Sequence, residues 1–233
     1  MVSFKNKLRV ILWRVGWCRT LPAEFVNSIR IVECDEALVD LKQDKSFFMS
    51  EKLSSRQEVR LREEAYNRLK EAQRLLPDGY CFKIYSAFRP IEEQQQIWDR
   101  KCFEIKQRYP DISEEQLICR VKAVCADPRT GFGGHQTGGA VDLTLCDKQG
   151  NDYDMGTRYS ENNSLTPTAA KGVSSEQRKH RLVLLNCMEA AGFKNYPNEW
   201  WHYSFGDRMW GAYARKKECL YGLVSLREQA DGD

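Results

Sequence analysis

The segment GGHQTGGAVDLTL, residues 133–145, restricts the fold more than any other part of this chain. Its second half alternates in polarity, which predicts a β-strand with Val141, Leu143 and Leu145 on the core face and Asp142 on the opposite face. Its first half places His135, one of only three histidines in the chain, among four glycines. Glycines permit backbone conformations closed to other residues and allow close approach to a ligand. The segment therefore predicts a tight loop that carries an imidazole into a core strand.

Further helices and short strands are predicted on both sides of this segment. Residues 54–76 carry an apolar stripe at helical spacing behind two serines suited to N-capping, which predicts an amphipathic helix. YCFKIY at 80–85 is aromatic and β-branched enough for a strand. Pro90 is well placed to open a helix that continues to about Arg108.

The C-terminal part continues the mixture. Ser174 and Gln177 have the spacing of a capping box, and we expect their helix to end at Ala191 with His180 on its solvated face. EWWHYSF at 199–205 predicts a strand whose aromatic residues either line a groove or belong to the core. Together the elements predict an α+β fold, a small antiparallel sheet flanked by helices.

Composition narrows the classes of partner and compartment. A net charge of only +3, without a basic stripe interleaved with aromatics, does not favour nucleic acid as a partner. No apolar run approaches the ~18 to 20 residues that a membrane span needs. Nine cysteines without a CxxC pair favour free thiols and a cytoplasmic location, with a periplasmic or secreted one as the alternative. We expect one domain over 51–233, with residues 1–50 as an extension packed on it.

Two histidines and one aspartate could form a metal site. A catalytic zinc ion typically takes three ligands from His, Asp and Glu and leaves a fourth position open. His135, Asp142 and His202 have the right number and chemistry, and Glu199 precedes the second histidine by three residues. Each residue alone is more often a solvated or satisfied side chain. Their combination favours a hydrolytic zinc site, in which a carboxylate such as Glu199 transfers the proton.

These residues also carry a family resemblance. HQTGGAVD resembles the HxxGxAxD element, and EWWH the ExxH element, of the zinc D,D-peptidases, in particular the D-alanyl-D-alanine dipeptidase (VanX-like) branch. FRP at 88–90 with Gln95, and DMGT at 154–157, extend the similarity over roughly residues 55–210. The resemblance implies a hedgehog/D,D-peptidase-like fold that binds one Zn²⁺ per chain and hydrolyses D-Ala-D-Ala. It also implies roles for five residues: the zinc ligands His135, Asp142 and His202, the general base and acid Glu199, and the oxyanion-stabilising Arg89.

The chain departs from the family pattern at two places that concern the substrate. Gly133 stands where the family usually has a serine. Ser160 stands where the dipeptidases have an aspartate for the free ammonium group of the substrate, which leaves Glu161 as the nearest carboxylate. Ser160 and Glu161 are therefore the candidate substrate-binding residues, and a small peptide with D-amino acids is the expected partner. The alternatives are a D,D- or L,D-carboxypeptidase that acts on peptidoglycan stem peptides, and a zinc-bearing binding module without enzymatic activity.

Overall fold

The computed structural model describes residues 3–130 and 133–224, which form eight α-helices and nine short strands. The helices are α1 Phe4–Arg14, α2 Ala23–Asn27, α3 Glu51–Ser54, α4 Glu63–Arg74, α5 Ile91–Arg108, α6 Glu114–Lys122, α7 Ser175–Ala190 and α8 Arg208–Tyr213. The strands are β1 Arg30–Ile31, β2 Leu38–Asp40, β3 Phe48–Met49, β4 Arg60–Arg62, β5 Cys81–Ser86, β6 Ala140–Cys146, β7 Lys194–Asn195, β8 His202–Ser204 and β9 Glu218–Cys219. Two 3₁₀ turns, Pro128–Thr130 and Gly134–Thr137, complete the regular structure.

A five-stranded sheet with the order β3-β5-β6-β8-β7 forms the centre of the fold. Its pairs are antiparallel except at one edge, where β3 runs parallel to β5. Helices α4 and α7 pack together against this sheet and share its main apolar core. The predicted α+β class, a small sheet flanked by helices, is confirmed, and the sheet is antiparallel apart from β3.

The strand predicted at 140–145 is β6, the middle strand of the sheet. Val141, Leu143 and Leu145 lie in the main core, as the alternation predicts. All seven residues of β6 are nevertheless buried, including Asp142 and Thr144 on the opposite face. On this second face Asp142 contacts His135 from the preceding loop and Tyr159 from a later one.

The helix predicted over 54–76 begins later than expected. Residues 51–54 form the separate helix α3, 60–62 form strand β4, and α4 covers only Glu63–Arg74. Leu61 pairs with Val39 of β2, so a partner distant in sequence overrides the local helical pattern. The helical stripe holds for the later positions, since Ala65, Leu69 and Ala72 are fully buried.

Two other predictions also need correction. The strand predicted over 199–205 is limited to β8, and of the two alternatives for its aromatic residues the structure shows the core. His180 is not solvated: it is 5% exposed, its Nδ1 lies 3.0 Å from the Asp154 carbonyl oxygen, and its Nε2 lies 3.2 Å from Glu176. The predicted capping box of Ser174 and Gln177 is present at the start of α7.

Three strands within residues 3–50 pair with strands from the rest of the chain. β1 runs parallel to β9, β2 pairs with β4, and β3 extends the central sheet. The division of the chain at residue 50 stays a prediction. Among the described residues, no helix combines the length and the apolar character that a bilayer crossing requires.

Candidate active site

His135, Asp142 and His202 come together on the covered face of the sheet. One ligand atom from each residue lies within 4.8 Å of those of the other two. The sheet itself fixes two of them, because Asp142 of β6 and His202 of β8 are directly paired neighbours across the antiparallel ladder. His135 enters from the 3₁₀ turn that precedes β6. The sequence-predicted group is therefore assembled by one strand pair and one loop.

The surroundings of His135 fix its ring orientation. Nδ1 lies 2.8 Å from the Ala87 carbonyl oxygen, which can only accept, so this nitrogen carries the proton. Nε2 is left with its lone pair toward the group, 3.2 Å from Asp142 Oδ2. Burial lowers the pKa of His135, which keeps the ring neutral. A neutral, oriented imidazole is the form that binds a metal ion.

Asp142 lies between the two rings. Its Oδ1 is 2.9 Å from His202 Nδ1, and its Oδ2 accepts a 3.0 Å hydrogen bond from the Tyr159 hydroxyl. Although burial opposes ionisation, His135 and His202 hold the pKa of Asp142 well below its usual range. Burial by itself lowers the pKa of His202, but the hydrogen bond with Asp142 outweighs burial and raises this pKa. The carboxylate is therefore ionised at neutral pH.

This donor set fits a zinc ion. Two imidazole nitrogens and one carboxylate oxygen, buried and mutually close, are the three protein ligands of many catalytic zinc sites. Magnesium and calcium would favour a set made only of oxygen atoms. A hydrolytic zinc site also needs a carboxylate that transfers protons, and such a residue is present beside the group.

That carboxylate is Glu199, which lies in the loop before β8 as predicted. The backbone amide of Glu199 donates to the Tyr196 carbonyl oxygen at 2.9 Å, and its own carbonyl oxygen accepts from Asn195 Nδ2 at 3.0 Å. Burial raises the pKa of the Glu199 side chain to about 7, against the opposing charges of His202 and Arg89. Glu199 can therefore accept and release a proton near neutral pH.

Arg89 lies two residues before α5, next to the same group. Its backbone amide donates to the His135 carbonyl oxygen at 3.0 Å. Its guanidinium donates to Gln94 Oε1 at 2.8 Å and to Ser86 Oγ at 2.9 Å. Gln94, which is 2% exposed, was missed from the sequence, whereas Gln95, which extends the family resemblance, is exposed and donates to Asp99 Oδ1. Arg89 is thus a positioned cation whose charge reaches His135 and Glu199.

A second row of polar residues lies behind His202. Ser204 Oγ is 3.4 Å from His202 Nε2, and Asp207 lies beside Ser204 with 2% exposure. Asp207 Oδ1 caps helix α8 through the Trp210 amide at 2.8 Å, while its Oδ2 is buried without a hydrogen-bond partner among the described residues. Burial raises the pKa of Asp207, and the charge of Asp207 contributes to the raised pKa of His202. Asp207 lies outside the motifs that carry the family resemblance.

Backbone conformation and steric contact explain two of the glycines around His135. Gly138 adopts a φ of 73°, in the left-handed region that favours glycine. A Cβ atom at Gly139 would collide with the carbonyl oxygen of Phe205 on the neighbouring segment. Glycine at both positions therefore allows the histidine loop to turn directly into β6, as the sequence predicts.

The two candidate substrate-binding residues lie in the loop that follows Met155. Glu161 is exposed, and its Oε2 accepts from the Arg158 amide at 3.0 Å. Ser160 is exposed with a φ of 63°. In this loop Tyr159 contacts the His-Asp-His group through Asp142, and its ring stacks on Tyr85 with centroids 4.5 Å apart. A role for Ser160 or Glu161 in substrate binding stays a prediction.

The sequence profile of the D-Ala-D-Ala dipeptidase family, Peptidase_M15, matches residues 28–221. The chain belongs to this family. The match contains all five site residues that the resemblance implied, and the family is zinc-dependent. Family membership and the His-Asp-His donor set together identify zinc as the cofactor.

Individual members of the D-Ala-D-Ala dipeptidase family are similar over shorter stretches. A D-alanyl-D-alanine dipeptidase of Synechocystis sp. is 42% identical over 87 residues, which cover 33% of this chain and 35% of that protein. One from Escherichia coli is 29% identical over 130 residues, 54% of this chain and 55% of that protein. The chain thus spans between about a third and about half of the length of these curated relatives.

Solved structures of peptidases are similar to this chain at lower sequence identity. The vancomycin resistance D,D-pentapeptidase VanY in complex with Zn(II) is 21% identical with a TM-score of 0.47, over 83% of this chain and 96% of that chain. The LD-carboxypeptidase LdcB is 21% identical with a TM-score of 0.45, over 84% and 78%. These similarities are too low to assign a substrate to the present chain.

Proposed function

We propose that this chain is a zinc metallopeptidase that hydrolyses the dipeptide D-Ala-D-Ala. The observation that carries the proposal is the buried group of His135, Asp142 and His202, with Glu199 and Arg89 beside it. When bound by these three ligands, zinc would polarise the scissile carbonyl group and make water more acidic. The family match supports a peptidase of this kind.

The surrounding residues supply the rest of the chemistry. Glu199, with a pKa near neutrality, takes a proton from the attacking water and delivers it to the leaving amine. Arg89, held by Ser86 and Gln94, offers a fixed positive charge to the oxyanion that develops on the substrate. A zinc-bearing binding module would need neither group, so their presence favours an enzyme.

A second candidate keeps this chemistry and changes the substrate. The exposed Glu161 interacts with its own loop, through the Arg158 amide. If nothing pairs with a free substrate ammonium group, longer peptides are no longer rejected. This observation favours a D,D- or L,D-carboxypeptidase that trims peptidoglycan stem peptides as the alternative.

One comparison of substrates separates the two candidates. Zinc-loaded protein is incubated with D-Ala-D-Ala, with its N-acetyl derivative and with a stem pentapeptide, and release of D-alanine is measured. The dipeptidase proposal predicts that the free dipeptide is cleaved fastest and the acetylated one poorly. Equal or faster cleavage of the blocked or longer substrates would support the carboxypeptidase instead, and no cleavage of any would contradict both.

We further propose a cytoplasmic location. It rests on the nine cysteines, all of which lie within the described residues and carry free thiols. Thiol titration of denatured protein isolated without reductant should find most of them reduced. Several stable disulfides, or a cleaved N-terminus, would place the protein in the periplasm or outside the cell.

A further inference from the structure

Helix α1 and the turn after it expose a continuous apolar stripe. Phe4, Leu8, Ile11 and Val15 follow one another at spacings of three or four residues, and Trp17 comes two residues later. Phe4 is 85%, Val15 63% and Trp17 84% exposed, which is unusual for side chains of this size. Residues at this spacing lie on one face of a helix. The outer face of α1 is therefore apolar, in contact with solvent.

Basic residues flank this stripe on both sides. With a turn of about 100° per residue, Lys7 and Arg14 lie along one edge of the stripe and Lys5 along the other. Residues 3–23 contain no acidic side chain. The face thus combines an apolar centre with a positive border.

The opposite face of α1 already has its packing partners. Val10 is buried in a small core with residues of α2 and α8, and the Trp13 ring packs edge-on against Tyr213 at 5.8 Å. At the end of the helix Gly16 adopts a φ of 79°, and the Trp17 amide donates to the Leu12 carbonyl oxygen at 2.8 Å. The exposed stripe is therefore fixed in orientation without taking part in this core.

We propose that this face of α1 binds the surface of an anionic lipid bilayer, with the helix parallel to the membrane. A stripe of Phe, Leu, Ile, Val and Trp between lysines and arginines is the composition that inserts at the boundary of headgroups and acyl chains. Negative lipid headgroups complement the cations on both edges. A second copy of the same face would instead bring like charges together, and a helix of 11 residues is too short to cross a bilayer. The inference is independent of the proposed peptidase activity.

Co-sedimentation of the full chain with vesicles tests the apolar part of the proposal. The double variant Leu8→Glu with Ile11→Glu is compared with a matched control, Phe103→Glu with Leu182→Glu, at two residues that are also exposed. Vesicles of phosphatidylcholine with phosphatidylglycerol should bind the wild type and the control alike. The α1 variant should bind at least ~10-fold more weakly, because two apolar anchors are lost and two negative charges added.

The electrostatic part is tested on the same vesicles. Vesicles of pure phosphatidylcholine, or a rise of salt to about 0.5 M, should weaken binding of the wild type at least ~10-fold, since both reduce the attraction of exposed charges. The triple variant Lys5→Gln, Lys7→Gln and Arg14→Gln should have the same effect. A control that loses the same charge elsewhere, Lys45→Gln, Lys148→Gln and Lys217→Gln, should bind like the wild type.

Three results would overturn the proposal. In the first, the wild type would fail to sediment with anionic vesicles. In the second, the α1 variants would bind as well as their controls. In the third, no vesicle binding would occur and analytical ultracentrifugation would find a dimer that the Leu8→Glu and Ile11→Glu variant dissociates; the stripe would then bind a second copy of the chain. Circular dichroism of each variant checks that the fold is retained, which the exposure of the substituted residues leads us to expect.

Discussion

Replacement of Glu199 by glutamine separates proton transfer from metal binding. The amide keeps the shape of the side chain, and the backbone contacts to Tyr196 and Asn195 do not depend on it. Since His135, Asp142 and His202 are the proposed zinc ligands, Glu199→Gln should retain zinc. Turnover of the preferred substrate should fall at least ~10²-fold, the lower end for loss of a general acid and base.

The same variant has a predicted effect on stability that needs no substrate. Burial raises the pKa of Glu199 from its ordinary 4.5 to about 7, so the folded metal-free protein holds a proton that the unfolded chain releases. A carboxyl group with a raised pKa stabilises the fold fully below about pH 4.5, and this contribution is lost as the pH rises to about 7. At 1.36 kcal/mol per pKa unit, the loss is on the order of 3 kcal/mol.

Urea unfolding of chelator-treated protein at pH 5 and pH 8 measures this effect. Between the two values, the wild type should lose on the order of 2 to 3 kcal/mol relative to Glu199→Gln, because glutamine does not titrate. Ionisable groups that do not interact with Glu199 contribute equally to both proteins, so their contributions cancel in the comparison. The exposed Glu161→Gln serves as the matched removal of a carboxylate. Parallel pH profiles of wild type and Glu199→Gln would refute the reasoning, as would loss of zinc from the variant.

Four further predictions concern the rest of the site. Arg89→Ala should keep zinc and lower turnover ~10²- to 10³-fold, the scale for one oxyanion donor, and unchanged turnover would remove Arg89 from the mechanism. Glu161→Gln should raise KM for D-Ala-D-Ala and leave N-acetyl-D-Ala-D-Ala unaffected; a silent variant would favour the carboxypeptidase. Asp207→Asn should weaken zinc affinity ~10-fold through Ser204 and His202 but still cap α8, and equal affinity would limit Asp207 to capping. His135→Ala, Asp142→Ala and His202→Ala should each lose the binding of one zinc ion per chain. Stoichiometric zinc retained in all three variants would contradict the ligand assignment.

Local sequence patterns place two of the three residues of the His-Asp-His group. His135 precedes β6 by a few residues, Asp142 follows from the alternation of that strand, and glycines report the tight turn between them. His202 and Glu199 are close in sequence, although only the pairing of β6 with β8 brings His202 against Asp142. In the sequence, only the family resemblance indicates that His202 and Asp142 belong to one site.

The sequence-based predictions are wrong where contacts with residues distant in sequence determine the structure. The helical pattern at 54–76 contains no sign that β2 will pair with Leu61 and convert 60–62 into a strand. His180 reads as solvated between Lys179 and Arg181, but the segment around Asp154 folds over it. A histidine on a helix is buried or exposed according to what packs on it, and local periodicity does not report this.

Three residues around the site were missed for similar reasons. Gln94 reaches Arg89 because it lies one turn into α5 after Pro90, a signal available from helical spacing. Asp207 has the position of an N-cap before α8, which explains one of its oxygens but not the other. Tyr159 has no local signal, since only the folded loop brings its hydroxyl to Asp142.

A zinc titration of the metal-free protein tests the central claim most directly. Chelator-treated protein is supplied with increasing zinc, and D-alanine released from D-Ala-D-Ala is measured at each ratio. We predict no release without metal, and a rise that ends at about one zinc per chain, the stoichiometry of a site with three protein ligands. Undiminished activity in the metal-free protein, or no release of D-alanine from this dipeptide at any zinc ratio, would contradict the account of this chain as a zinc D-Ala-D-Ala dipeptidase.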